Sequence, residues 1–130
     1  MYQTVAVFGE AEKGQMHTPL LFHSLPELVD KLGNPPLESQ GLLFGIQTLL
    51  YDRKLLFFRV EEEGFSINDY LTGLLFLQNK QRVDNLSAIC LPGVGDEEII
   101  EETKNICLLH NGLLITTEKD LYDYLTTSSR

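Results

Sequence analysis

Residues 86–117, LSAICLPGVGDEEIIEETKNICLLHNGLLITT, decide the fold. Leu86 to Leu91 is a short apolar run, stopped by Pro92-Gly93. From Asp96 to Asn111 the apolar period changes. Ile99, Ile100, Thr103, Ile106, Cys107 and His110 recur at i, i+3, i+4 and i+7, which places them on one face of a helix. Gly112 stops that helix, and Leu113 to Thr116 is again a short apolar run. Strand, helix, strand in this order is the crossover unit that parallel strands require.

The alternation continues on both sides. Downstream, Thr117 is placed to cap a last helix with Leu121, Tyr124 and Leu125 facing inward, and Thr126 to Arg130 reads as frayed. Upstream, Lys54 to Val60 is apolar without alternation, as expected of a strand covered on both faces. Ser66 to Gln78 follows it as a helix, with Ile67, Tyr70, Leu71, Leu74 and Leu77 or Gln78 on the spacing. Ser39 to Tyr51 precedes it as another, with Leu42, Ile46, Leu49 and Leu50 on one face and Leu43 beside them.

Earlier still, SLPELVDKLG carries helix punctuation: Ser24 as N-cap, Glu27 completing a capping box, and Gly33 as C-terminal stop before Asn34-Pro35-Pro36. Val5 to Phe8 and Pro19 to Phe22 read as short strands that pair with each other, joined by Gly9 to Thr18 with its charges in solvent. The expected architecture is a single layered α/β domain over residues 1–130. It has a mostly parallel sheet flanked by helices, with the N-terminal pair of strands at one side.

Composition narrows the function. Ten Lys and Arg against nineteen Asp and Glu leave a net charge of −9, and the cations are scattered apart from Arg53, Lys54 and Arg59. This excludes the basic stripe that nucleic-acid binding needs. No apolar run approaches the ~18 residues of a membrane span, and no leader pattern is visible, so a cytoplasmic protein with no membrane partner is expected. Cys90 and Cys107 each sit inside apolar segments without metal-ligand spacing and read as buried hydrophobes.

Every chemical candidate has a structural reading. Gly9 to Gly14 is glycine-punctuated but has no helix directly after it, so phosphate-loop geometry is missing. Pro92-Gly93-Val94-Gly95-Asp96 lacks a third glycine. Asp96, Glu97 and Glu98 already complement the helix dipole and would repel a pyrophosphate. His17, His23 and His110 are far apart with no nucleophile motif beside them, and His110 suits a helix C-terminus. Glu61-Glu62-Glu63 cannot chelate one cation from an extended segment, because successive side chains point to opposite faces. Arg59 closes an apolar run and needs a partner, expected among the carboxylates near the strand ends. No catalytic, cofactor-binding or metal-binding residue is assigned, and the chain is expected not to be an enzyme.

Three blocks carry a family likeness: VAVFGEAEKGQMHTPLLFHSLPELVDKLGN from Val5, GLLFGIQTLLYDRKLLFFRVEE from Gly41, and RVDNLSAICLPGVGDEEIIEETKNICLLHNGLLITTEKDL from Arg82. Their order and spacing over roughly residues 4–120 resemble the α/β core of contractile tail sheath proteins of bacteriophages and phage-derived injection machines. The chain departs from that pattern where Val60 reaches the next helix within a few residues, with no large insertion. A core without insertion domain, C-terminal domain or terminal arms is expected. The resemblance implies a non-enzymatic structural protein acting by subunit packing in a phage-tail-like assembly, with self-association or tail-like components as partners. Such packing would use sheet edges, and the candidates are Val5 to Phe8 or Leu113 to Thr116. The alternative is a small-ligand-binding or regulatory α/β module. Its site would lie beyond the strands' carboxyl ends, near Glu61, Pro92 to Gly95 and Thr116-Thr117.

Overall fold

Val5, Ala6, Val7 and Phe8 are all completely buried, which is possible only for a strand covered on both faces and paired on both edges. In the computed structural model, which describes residues 3–127, their strand β1 (Thr4–Gly9) is the middle of a five-stranded sheet. β3 (Lys54–Arg59) and β4 (Leu86–Cys90) flank it in parallel, and β5 (Leu113–Ile115) extends the sheet beyond β4, also parallel. β2 (Pro19–Phe22) closes the other side, antiparallel to β3. The strand order is β2-β3-β1-β4-β5.

The α/β class, the element order and the mostly parallel sheet agree with the sequence. The pairing of the two N-terminal strands does not form. β1 is apolar at every position and takes the centre, while the Glu10–Thr18 connection carries the chain past β3 so that β2 lies on its outer side. Pro19 and the half-exposed Leu21 suit an edge position, where a missing N–H and an open face are tolerated. Val5 to Phe8 is therefore no edge, whereas Leu113 to Ile115 is one.

Alternation along the strands divides the core into two layers. Val5, Val7, Leu55 and Phe57 pack with helices α1 (Leu25–Leu32), α2 (Gly41–Leu50) and α5 (Glu118–Thr127). Ala6, Phe8, Leu56 and Phe58 pack with α3 (Ile67–Leu77) and α4 (Glu97–His110). The sheet thus has three helices on one face and two on the other. β4 breaks its alternation at Ser87, where the register against β1 slips between Thr4 and Val5. The irregular residue is tied down, its hydroxyl touching the Thr4 carbonyl and the Tyr124 hydroxyl, and Tyr124 donates to Gln3 Oε1.

Most helix boundaries fall where their caps are. Ser24 accepts from the Glu27 N–H, but the Glu27 carboxylate takes the His23 N–H rather than that of Ser24. Gly33, with φ of +77°, returns its N–H to Val29 O. Asp96 caps α4 through the Ile99 N–H, Asn111 ends it in the left-handed region, and Thr117 caps α5 through the Asp120 N–H. Of the expected stripe of α4, Ile99, Thr103, Ile106 and Cys107 are buried, and Ile100 and His110 are partly so. Thr126 and Thr127 continue α5 rather than fraying, and Ser128 to Arg130 lie outside the described residues.

The inward face of α2 differs from the apolar count. Phe44, Gly45 and Thr48 are buried with Leu42 and Leu49, Ile46 is only partly buried, and Leu43 and Leu50 are exposed. The cause is close approach: an added Cβ on Gly45 would come within 2.9 Å of Leu55. Small and polar residues therefore belong to this face, with the Thr48 hydroxyl satisfied by Phe44 O. No helix among the described residues is long and apolar enough to cross a membrane.

On the opposite face α3 docks through Gly73, whose hypothetical Cβ would sit 2.4 Å from Phe8 Cε2 and 2.9 Å from Phe58 Cδ2. Those rings are stacked on each other and Phe8 also on Tyr70, so neither can yield. Gly73→Ala gains up to ~1 kcal/mol of helix propensity but meets ~1–3 kcal/mol of overpacking. We expect net destabilisation by about 1–2 kcal/mol in urea titration, whereas Gly95→Ala, with nothing within 4 Å of the new methyl, is close to neutral.

Candidate functional site

Parallel sheets place ligands beyond the carboxyl ends of their strands, and here Gly9, Arg59, Cys90 and Ile115 end those strands together. The N-terminus of α2 arrives at this end in direct contact with Gly9. A Cβ on Gly41 would lie 2.4 Å from the Gly9 Cα, and one on Gly9 2.5 Å from the Gly41 Cα. Gln40, the N-cap, supplies no side-chain cap of its own. Glu63 supplies it instead. Its Oε2 accepts from the Gln40 N–H at 2.6 Å, and its Oε1 from the N–H groups of Gly41 and Glu10, both at 3.0 Å. In return, Glu10 Oε2 accepts the Glu63 N–H at 2.8 Å. The place where such folds hold a phosphate is filled by the chain's own carboxylate.

The rest of the acidic triplet is also engaged through its backbone. The Glu62 N–H donates to Ser66 Oγ, and the Ser66 hydroxyl donates back to Glu62 O. The Glu61 N–H donates to Asp69 Oδ2 at 2.8 Å, while Asp69 Oδ1 meets His17 Nε2 at 2.8 Å. Gly64, at φ of +90°, packs against the Gly93 carbonyl, and its N–H donates to the Tyr70 hydroxyl at 2.7 Å. Burial holds the Tyr70 phenol protonated well above the usual range, and the nearby Glu63, Glu10 and Asp69 carboxylates push the same way. Consecutive glutamates thus serve different neighbours, as their alternating directions require.

A crevice of about 650 Å³ lies above this platform. Thr116, Thr117 and Gly93 converge on it as expected, joined by Glu62 and Glu63, while Glu61 belongs to the Asp69 side instead. Its other walls are Glu10, Glu38, Glu118, Leu37 and Phe65, the last two strongly exposed. Five carboxylates in one hollow repel a phosphate or nucleotide. Among the described residues no group of His, Cys, Asp and Glu is arranged to hold a metal ion.

The remaining sequence candidates are dispersed. Arg59 Nη1 donates to the Gly14 carbonyl, and no carboxylate among the described residues comes within ion-pair distance of it, so its expected acidic partner is replaced by loop backbone. In the Gly9–Thr18 connection Glu12 and Lys13 are exposed, as expected of its charges, but the stretch is also anchored. Glu12 Oε1 accepts the Asn34 N–H, and the N–H groups of Glu12 and Lys13 both donate to Leu32 O at the end of α1. His110 Nε2 lies 2.8 Å from Leu77 O, bridging to the last turn of α3 rather than capping its own helix. His23 is exposed near Arg53 and Lys54. Asp96 is an N-cap, as read.

The sequence did not single out Glu63 as a cap, the His17–Asp69 pair, or Arg82, which shares a cavity with them on the α3 side of the sheet. The only local signal for the first is a helix start at Gln40-Gly41 with no capping side chain. No family model, no characterised protein and no solved structure matches this chain.

Two predictions follow from these contacts. Glu63→Ala leaves three N–H groups without their acceptor, and charge-assisted bonds of this kind contribute ~1.5–3 kcal/mol. A stability loss of about 2 kcal/mol is expected by urea denaturation, with Glu63→Gln losing about half as much because one acceptor oxygen remains. Burial pushes the Cys107 thiol up to about 11, and burial together with Cys107 raises Cys90 further still. Both thiols are therefore protonated near neutral pH, and an aromatic disulfide reagent should label neither in the native protein but both once guanidinium unfolds it.

Proposed function

We propose that this chain is a non-enzymatic structural protein of the cytoplasm that acts by packing against other subunits, in the manner of a minimal tail-sheath core. The observation that carries this reading is the outer edge of β5. Among the described residues this three-residue strand pairs on one side only, with β4. The turn leading into it is flanked by apolar side chains left in solvent: Leu108 is 78% exposed, Leu113 55% and Leu109 44%. An open edge beside exposed leucines is a surface that accepts another strand. The occupant we assign is the same edge of a second copy.

The ligand-module alternative loses the site first expected for it, since Glu63 already holds the α2 amides and carboxylates line the crevice above.

Two copies of a −9 chain repel each other, and that repulsion is screened by salt. Sedimentation velocity over a concentration series should show association that strengthens as salt rises from about 0.1 M to about 1 M, shortening the Debye length from about 10 Å to about 3 Å. Leu108→Lys with Leu113→Lys, both at exposed positions, should leave a monomer with an unchanged melting temperature. A protein that stays monomeric at every concentration and salt would sink the reading.

A further inference from the structure

The two faces of the sheet are unequally covered, and the shortfall is at β2. On the α3–α4 face, α3 is drawn down onto Phe8 and Phe58 by Gly73, and among the described residues no helix covers the edge strand beyond, where Leu21 is half-exposed. Between β2 and α3 this leaves a cavity of about 360 Å³, within the ~300–1,000 Å³ typical of small-molecule sites. Its apolar wall is Phe58, Leu75 and Phe76. Its polar groups are Arg59, Arg82 and the His17–Asp69 pair.

The charges here run against the rest of the molecule. In a chain of net −9, two guanidiniums face this hollow with a single carboxylate, Asp69. Both oxygens of Asp69 are already engaged, one by His17 Nε2 and the other by the Glu61 N–H. Neither Arg59 nor Arg82 has a carboxylate within ion-pair distance among the described residues. Arg59 is held in place by the Gly14 carbonyl through one of its N–H groups. Arg82, an exposed residue at the mouth of the cavity, places its Cζ 5.3 Å from the centre of the Phe76 ring, a cation–π contact.

We propose that this cavity binds a small organic acid, with an aromatic or branched apolar body against Phe58 and Phe76 and its carboxylate on Arg59 and Arg82. Arginine's planar fork matches a carboxylate in two parallel bonds, and the aromatic wall rewards a flat apolar body. A cation would meet two like charges, and a neutral apolar ligand would strip water from the guanidiniums without replacing it. The cavity lies at the β2 edge, opposite β5, so its failure and the failure of the packing reading are separate results.

Phenylacetate is a suitable probe, with phenylacetamide as its neutral isostere. In nitrogen–proton correlation spectra of the full chain, millimolar phenylacetate should shift the amides of Thr72, Gly73, Phe76 and Arg82 saturably, while phenylacetamide leaves them in place. Arg82→Met keeps the apolar stem and should weaken binding about tenfold. Thr72→Glu, on an exposed position at the rim, should abolish binding by bringing a carboxylate to the site. Both variants should melt with the parent protein. Equal shifts with the amide, undiminished binding by Arg82→Met, or no saturable shift at all would each overturn the proposal.

Discussion

The Glu63 carboxylate at the start of α2 is the contact on which the carboxyl end of the sheet depends. It gathers three N–H groups from two segments: that of Glu10 after β1, and those of Gln40 and Gly41 at the head of α2. The segment after β3 thereby fastens the central strand to its covering helix. The Gly9–Gly41 approach is the steric half of the same arrangement, since neither backbone could come so close with a side chain between them. Replacing a ligand by an internal carboxylate changes what the fold offers. The helix terminus that serves anion binding elsewhere becomes a fixed joint.

That substitution leaves the charge unevenly placed. Around the joint, Glu10, Glu38, Glu62, Glu63 and Glu118 surround one hollow. Between β2 and α3, Arg59 and Arg82 face another with Asp69 fully engaged. The Gly9–Thr18 connection contributes to both, with Glu10 lining the first and His17 and Thr18 the second. It is anchored to the end of α1 through Leu32 O and to β3 through Arg59. A stretch rich in charge and glycine is thus a fixed connection rather than a loose link.

What the sequence disclosed follows the range of the forces involved. Period and caps act within a turn or two, so the stripe of α4, the Asp96 and Thr117 caps and the succession of elements were all legible. The place of β1 was not, because an unbroken apolar run says that a strand is covered without saying which strands lie beside it. The face of α2 was misjudged for a different reason. Glycines and a threonine make its closest contacts, and these add nothing to an apolar count. Glu63 was invisible as a cap because its partners are more than twenty positions away, beyond any local rule.

The position of β1 also bears on how the chain folds. The central strand precedes both of its neighbours, and its ladder is complete only when residues 54–59 and 86–90 have joined it. Until then four consecutive apolar residues have no cover. Closing such long loops before any pairing is rewarded makes folding slow relative to a helical bundle of this size. The chain therefore has to keep Val5 to Phe8 from other molecules during that interval. The acidic surplus contributes here by mutual repulsion between unfinished chains.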